Sequence, residues 1–337
     1  MVTHLEAALE EDISAHNGSF LPRFVSTGSV VIDLPMRVLK LPDRGTDAIA
    51  YSSGTVVGGG FNVVSAAARQ GTRVALASPL GTGPNSAQVR NALSAEGIET
   101  LFDEMVGDTG LCIALVEPSG ERTFVTTLGV EAEPQPEDLQ ALRLYPGDYL
   151  YVSGYDLAYP TSGPVLVPWL ETIGADVVVV MDTSPIVNEI EVEVLRKVLS
   201  RVDVLTMNRR EARLLGDQLG VRDWTELGQL LAPNRLVVRR TGEHGCEILR
   251  TGNGGSVTVP AYPVEPVDTT GAGDAHTGVL VAALMDGHNI FAAAERANAA
   301  AALTATRQGP ATCPTRAEID EFMAQFREGR PQISGWY

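Results

Sequence analysis

The sequence predicts an α/β protein with a mostly parallel central sheet and a second, small β-sheet standing off it. Three observations carry this. Nearly continuous β-branched runs recur, as in residues 176–181 with V-V-V-V-M, and such runs suit strands covered on both faces. These runs alternate with helical patterns, which implies parallel strands joined by right-handed crossovers. Two segments, 35–57 and 110–127, break the rhythm with short strands and turns and no helix of their own.

Residues 23–31 read as the first strand. Residues 62–70 read as a helix, with Val63, Ala66, Ala67 and Gln70 on one side. A strand over 72–78 and a helix over 86–96 follow. Further strands are expected at 149–153, 176–181, 202–207 and 235–239, and a helix at 275–285. In 110–127, Pro118-Ser119-Gly120-Glu121 separates I-A-L-V from R-T-F-V-T, a hairpin pattern. The two irregular segments are read as a lid subdomain or dimer contact; edge strands of the main sheet are the alternative. The α/β body then comprises 21–34, 58–109 and 128–330, after an N-terminal extension over 1–20.

Composition narrows the function classes. A chain of 337 residues with 20% charged and 44% apolar residues is an ordinary globular sequence. Its net charge of -17 makes nucleic acid a poor partner. Small phosphates are still admissible, because backbone N–H groups and a metal ion hold them locally. Cys112, Cys246 and Cys313 are far apart and odd in number, so neither a disulfide framework nor a structural zinc is indicated. Glu6, Glu10, Glu11 and Asp12 rule against a signal peptide, and the first twenty residues read as an acidic amphipathic helix or a loose tail. No apolar run of roughly 18 residues suggests a membrane span. A cytoplasmic location is expected.

Four motifs carry chemistry. In Asp268-Thr269-Thr270-Gly271-Ala272-Gly273-Asp274, two glycines open a helix. They let a ligand approach the backbone, and the helix start aims N–H groups and its positive dipole end at an anion. Asp274 at the mouth can take a proton from a hydroxyl, or simply cap the helix. Gly58-Gly59-Gly60-Phe61-Asn62 permits close approach of a small ligand, and Asn62 can meet vicinal hydroxyls or act as an N-cap. Asn208 and Glu211, three apart after an apolar strand, suit Mg²⁺ or its water shell, or a plain capped helix. Arg240-Thr241-Gly242-Glu243-His244-Gly245 is a turn at a strand end, where ligands of α/β sheets gather.

Together and in this order, the motifs resemble the ribokinase-type (PfkB) carbohydrate kinase family. The Gly58–Asn62 run with Gly71 and Gly81, and D-T-T-G-A-G-D at 268–274, match its two hallmark segments; the likeness spans about 23–326. The resemblance implies a ribokinase-like three-layer α/β/α sandwich with a β-sheet lid. It implies ATP-dependent phosphorylation of a hydroxyl on a small sugar or sugar acid. Asp274 resembles the general base, and Gly271, Ala272 and Gly273 the anion hole. Asp33, Gly59 and Asn62 resemble the sugar contacts. Thr241, Gly242, Gly245, Asn298 and Asn208 fall on the nucleotide side, with Asn208 and Glu211 ordering Mg²⁺ through water. Asp268, Thr270, Thr304, Arg307, Gly309 and Cys313 match the loop that binds a monovalent cation such as K⁺ in some members.

Departures from the pattern are Val64 and Val279 at positions where smaller residues are usual, and Val31 where ribokinases use asparagine against ribose. His276 either lines the acceptor pocket or fills space under the helix. An unphosphorylated acceptor is expected, since no extra Lys or Arg stands out near Asp33, Asn62 or the lid. A nucleoside kinase and a non-catalytic sensor on the same fold are the alternatives; a dehydrogenase lacks the G-x-G-x-x-G spacing. A homodimer through the lid is expected.

Overall fold

The computed structural model describes residues 21–51, 54–253 and 255–326. The expected N-terminal helix or tail, and the body's last residues to 330, lie outside these. Among the described residues the large sheet has nine strands, in the order β13-β12-β11-β10-β9-β8-β1-β4-β5. They are β1 (Phe24–Ser26), β4 (Val74–Leu76), β5 (Glu99–Thr100), β8 (Tyr149–Ser153), β9 (Val178–Asp182), β10 (Val204–Asn208), β11 (Leu236–Arg240), β12 (Cys246–Arg250) and β13 (Ser256–Val259). All neighbours pair in parallel except β11–β12 and β12–β13.

Successive strand residues feed opposite layers. Leu150, Val152, Val179, Met181, Leu205 and Met207 face one core, with Leu195 and Leu199 of α6 (Val192–Arg201) and Leu215 of α7 (Arg209–Leu219). Tyr151, Val180 and Val204 face the other, with Phe61 and Val63 of α1 (Gly60–Ala68), Val89 and Leu93 of α2 (Pro84–Ala95), and Val281 of α8 (Ala272–Met285). The period of two along each strand thus produces the three layers. α3 (Pro136–Ala141), α4 (Gly154–Ala158) and α5 (Gly163–Leu170) complete the first layer's surroundings; α9 (Ile290–Ala305) packs beside α8, and α10 (Arg316–Ala324) on α9. Val64 and Val279 are fully buried, so the larger side chains at these positions are absorbed by packing.

The small sheet has the order β3-β2-β6-β7, formed by β2 (Val30–Arg37), β3 (Val56–Gly59), β6 (Leu111–Val116) and β7 (Arg122–Thr127). The expected strand over 23–31 is therefore two strands in different sheets. The chain leaves the large sheet at Thr27, whose N–H reaches Tyr151 O at 3.0 Å. Gly28 donates to Ser26 Oγ at 3.1 Å and turns the chain. Both pieces are apolar, so hydrophobicity alone joined them. β3 runs to Gly59, so the small sheet also takes in Gly58 and Gly59.

The chain passes between body and lid four times, and at three of these crossings it is held by two buried carboxylates. Glu131 accepts from the N–H groups of Gly110 and Gly129, both at 2.9 Å. Asp156 of α4 accepts from Ser29 N at 3.1 Å and from Ser29 Oγ at 2.5 Å. Burial raises the pKa of Glu131, and pushes that of Asp156 up to about 7 despite the Ser29 bonds.

Candidate active site

The site lies at the carboxyl ends of the parallel strands, where the lid meets the start of α8. The three glycines opening α1 have separate reasons. A Cβ on Gly58 would stand 1.9 Å from Asp33 Oδ2, so this glycine makes room for the Asp33 carboxylate across the β2–β3 pair. Gly59 has φ 61, and a Cβ there would meet Ser29 O at 2.7 Å. A Cβ on Gly60 would strike the Gly28 carbonyl at 2.4 Å.

α1 and α8 pack closely because Gly278 lies against Val63 O, where a Cβ would come within 2.5 Å. This approach joins the two sequence motifs. Asn62 Nδ2 donates to Asp274 Oδ2 at 2.9 Å, while Asn62 Oδ1 is buried without a partner. Gly271 adopts φ 75 at the head of α8, and no side chain caps the helix. Ala272 N–H is turned toward Thr269 O at 3.2 Å. Burial, with Asp182 nearby, pushes Asp274 up to about 6 against the opposing effects of Asn62 and Arg240. Asp33 is likewise pushed up to about 6 by burial, with Cys112 opposing and Asp274 adding to the rise.

Asn208 and Glu211 form a reciprocal cap at the start of α7, with Glu211 N–H on Asn208 Oδ1 at 2.9 Å and Asn208 N–H on Glu211 Oε2 at 2.7 Å. The capping and metal-ordering readings are therefore compatible in one geometry. Burial and the neighbouring Asp182 raise Glu211, with Arg240 opposing. Arg240 pairs with both carboxylates, and the amide and carboxylate oxygens of Asn208 and Glu211 are hard donors of the kind that order Mg²⁺ through its waters. Of the residues expected on the nucleotide side, Thr241 spends its hydroxyl on Gly245 O at 2.9 Å. Gly242 opens onto free space, whereas a Cβ on Gly245 would meet Val259 O at 2.1 Å. Asn298 donates to the carbonyls of Val259 and Pro260 at 3.0 and 3.3 Å, holding the exit of β13.

The loop expected to hold a monovalent cation is rich in guanidinium groups. Arg69 donates to the carbonyls of Ala311 (2.7 Å) and Cys313 (2.8 Å), and Arg307 to that of Thr312 (3.0 Å). Asp268 accepts from Thr270 N and Oγ1 and from Gly309 N. Thr304 Oγ1 is buried without a partner. The positions are expected to contribute mostly backbone carbonyls, and that of Cys313 is already taken by Arg69. The donor set does not fit K⁺ well.

Sequence reasoning missed Arg240 as a site residue. Its guanidinium donates to Asp182 Oδ2 at 2.6 Å, Thr206 Oγ1 at 2.6 Å and Thr277 Oγ1 at 2.8 Å, and lies beside Gly273. Its carboxylate partners hold it firmly charged, raising its pKa although burial opposes this. The signal was present: Asp182 ends the V-V-V-V-M-D strand at its carboxyl end, where such sheets bind ligands. His276 is buried, and burial, with the Arg240 charge nearby and Asn298 opposing, lowers its pKa to about 3. The ring is therefore neutral at physiological pH.

Comparison with known proteins agrees with this geometry. The model of the pfkB family carbohydrate kinases matches residues 22–317. The uncharacterized sugar kinase YegV of Escherichia coli K12 is 35% identical over 87% of this chain and 91% of its own length. The ribokinase of Bacillus subtilis is 28% identical over 88% and 98%. The crystal structure of ribokinase from Thermotoga maritima superposes with a TM-score of 0.77 at 23% identity, covering 90% of this chain and all of that one (100%), which supports the ribokinase-like fold. With Asn62 holding Asp274 at the head of α8, and with the family match over nearly the whole described body, the chain belongs to the pfkB family of carbohydrate kinases and is an ATP-dependent phosphotransferase that phosphorylates a small carbohydrate.

Proposed function

We propose that Asp274 is the general base and that the acceptor is a neutral, unphosphorylated sugar. The observation that carries this is the Asn62–Asp274 bond, which fixes one carboxylate oxygen beside an uncapped helix start. In this reading Asn62 aims the carboxylate, Asp274 takes the hydroxyl proton, and the turn at Gly271–Gly273 receives the phosphoryl oxygens. Asp33 binds sugar hydroxyls with Gly59 and Asn62. Two carboxylates facing one pocket disfavour an acidic acceptor. Thr241, Gly242, Gly245 and Asn298 shape the ATP side. When bound, Mg²⁺ supplies charge neutralisation on the phosphates, and Asn208 with Glu211 orders its waters. Arg69 and Arg307 supply the fixed positive charge of the neighbouring loop in place of K⁺.

Two further readings accompany this one. Among the described residues no helix is long and apolar enough to cross a membrane. The three free cysteines fit a reducing cytoplasm. On the lid, Val125 is 56% exposed on the face opposite Cys112, an apolar surface on which a second copy can pair.

The test is steady-state phosphorylation with ATP across sugars, sugar acids and nucleosides. A neutral sugar is expected to give the highest kcat/KM, and Asp274→Asn to lower its kcat by at least about 10²-fold with little change in ADP affinity. A variant that keeps most activity removes the base assignment. Preference for a nucleoside or a sugar acid overturns the substrate class.

A further inference from the structure

We propose that Arg122 is a latch, tying the free edge of the lid to the glycine turn so that lid closure and assembly of the phosphate site are one event. The proposal rests on the kinase reading above. β7 is the outer strand of the lid, and Arg122 is its first residue, next to the hairpin turn. The hinge lies at Gly129, seven residues on, or about 23 Å along an extended strand. The contact is thus made near the far end of the lever, where a small hinge rotation moves the lid most.

Arg122 donates to Asp268 Oδ1, and the side chains are only 23% and 15% exposed. Asp268 is already fixed from the other side. Its Oδ1 accepts from Thr270 N at 2.9 Å and Thr270 Oγ1 at 2.6 Å, and its Oδ2 from Gly309 N at 3.1 Å. Thr270 immediately precedes Gly271, whose left-handed backbone opens α8. A single carboxylate therefore joins lid edge, glycine turn and the 309 loop. Partial burial alone would raise its pKa, yet the Thr270 and Gly309 bonds and Arg122 together hold it below the usual carboxylate range.

The strand register shows what the latch positions. Arg122 pairs with Val116, Phe124 with Ala114 and Thr126 with Cys112, and Cys112 in turn with Asp33. Directly paired residues share a face, so Arg122, Phe124, Thr126, Cys112 and Asp33 lie on one side of the lid. Phe124 is 59% exposed on that face. Engaging Arg122 sets the height of this surface over the acceptor. Asp268 keeps its bonds from Thr270 and Gly309 without Arg122, so Arg122 acts as a positioning residue, not as a mainstay of the fold.

The test uses hydrogen–deuterium exchange on the full chain, for wild type, Arg122→Ala, Arg122→Lys and Asp268→Asn. Arg122→Ala is expected to speed exchange about tenfold in both 111–127 and 268–275. Asp268→Asn should match it in the lid, and Arg122→Lys should restore part of the protection. Faster exchange confined to the hairpin, or none, overturns the latch. Kinetics supply the second readout, using whichever of D-ribose, D-fructose and inosine the wild type phosphorylates best. Arg122→Ala should raise acceptor KM about tenfold and increase ADP formation without acceptor, leaving ADP affinity unchanged. A fall in melting temperature with unchanged acceptor KM overturns the proposal. If wild type phosphorylates none of the three, the substrate reading is what fails, and the exchange pattern still decides the latch.

Discussion

The head of α8 and the lid hinge pose the same chemical problem and resolve it in opposite ways. Both present backbone N–H groups at a glycine-rich bend. At the hinge these groups are satisfied by side chains: Glu131 takes Gly110 and Gly129, and Asp156 takes Ser29. At α8 the Thr270 N–H is taken by Asp268 and the Ala272 N–H turns to Thr269 O, but no side chain caps the helix itself, and its first-turn carboxylate, Asp274, is held by Asn62. An N–H cluster that the protein satisfies itself makes a joint; one that it leaves open makes a ligand site.

Filling the open site should have the largest effect. Gly58→Ala places a methyl where the Asp33 carboxylate now lies. We expect kcat/KM for the acceptor to fall about 10²-fold, since a displacement near 1 Å at a reacting centre costs that much. ADP affinity measured by calorimetry should hold; its loss would mean the damage is not confined to the acceptor half.

Disturbing the satisfied site should cost stability first. Glu131→Gln leaves one acceptor for two glycine N–H groups and turns an amide donor toward the other. The expected loss in denaturant unfolding is about 1–3 kcal/mol. An unfolding free energy equal to wild type would show that the two regions are not distinguished by their need for a partner.

The smallest effect concerns charge. Asp274 is an acid whose folded pKa is raised to about 6. Its ionised form is therefore disfavoured by folding, and stability drops as pH rises from about 4 through 6. Asp274→Asn should thus stabilise the protein measurably at pH 8 and by almost nothing near pH 4. In the wild type, kcat/KM for the acceptor should fall about tenfold per pH unit below 6. A stability gain that is equal at both pH values would deny that burial of this charge is its source.

Much of this was legible beforehand. The unbroken β-branched run V-V-V-V-M, its alternation with helical stretches, and the glycine spacing of 268–274 each reflect local rules: which residues suit a strand covered on both faces, and where a Cβ is forbidden. Those rules operate within a few residues, so the sequence by itself determined the layered sheet, the bend before α8 and the carboxylate beside it. Other features required chain segments far apart to meet. The split of 23–31 between two sheets depends on Tyr151, which receives Thr27. The cage around Arg240 draws on β9, β10 and α8, and Arg122 of the lid edge meets Asp268, 146 residues on. Only the tertiary structure decided these, because a buried charge takes whichever partners folding brings within reach, and no spacing along the chain encodes that distance.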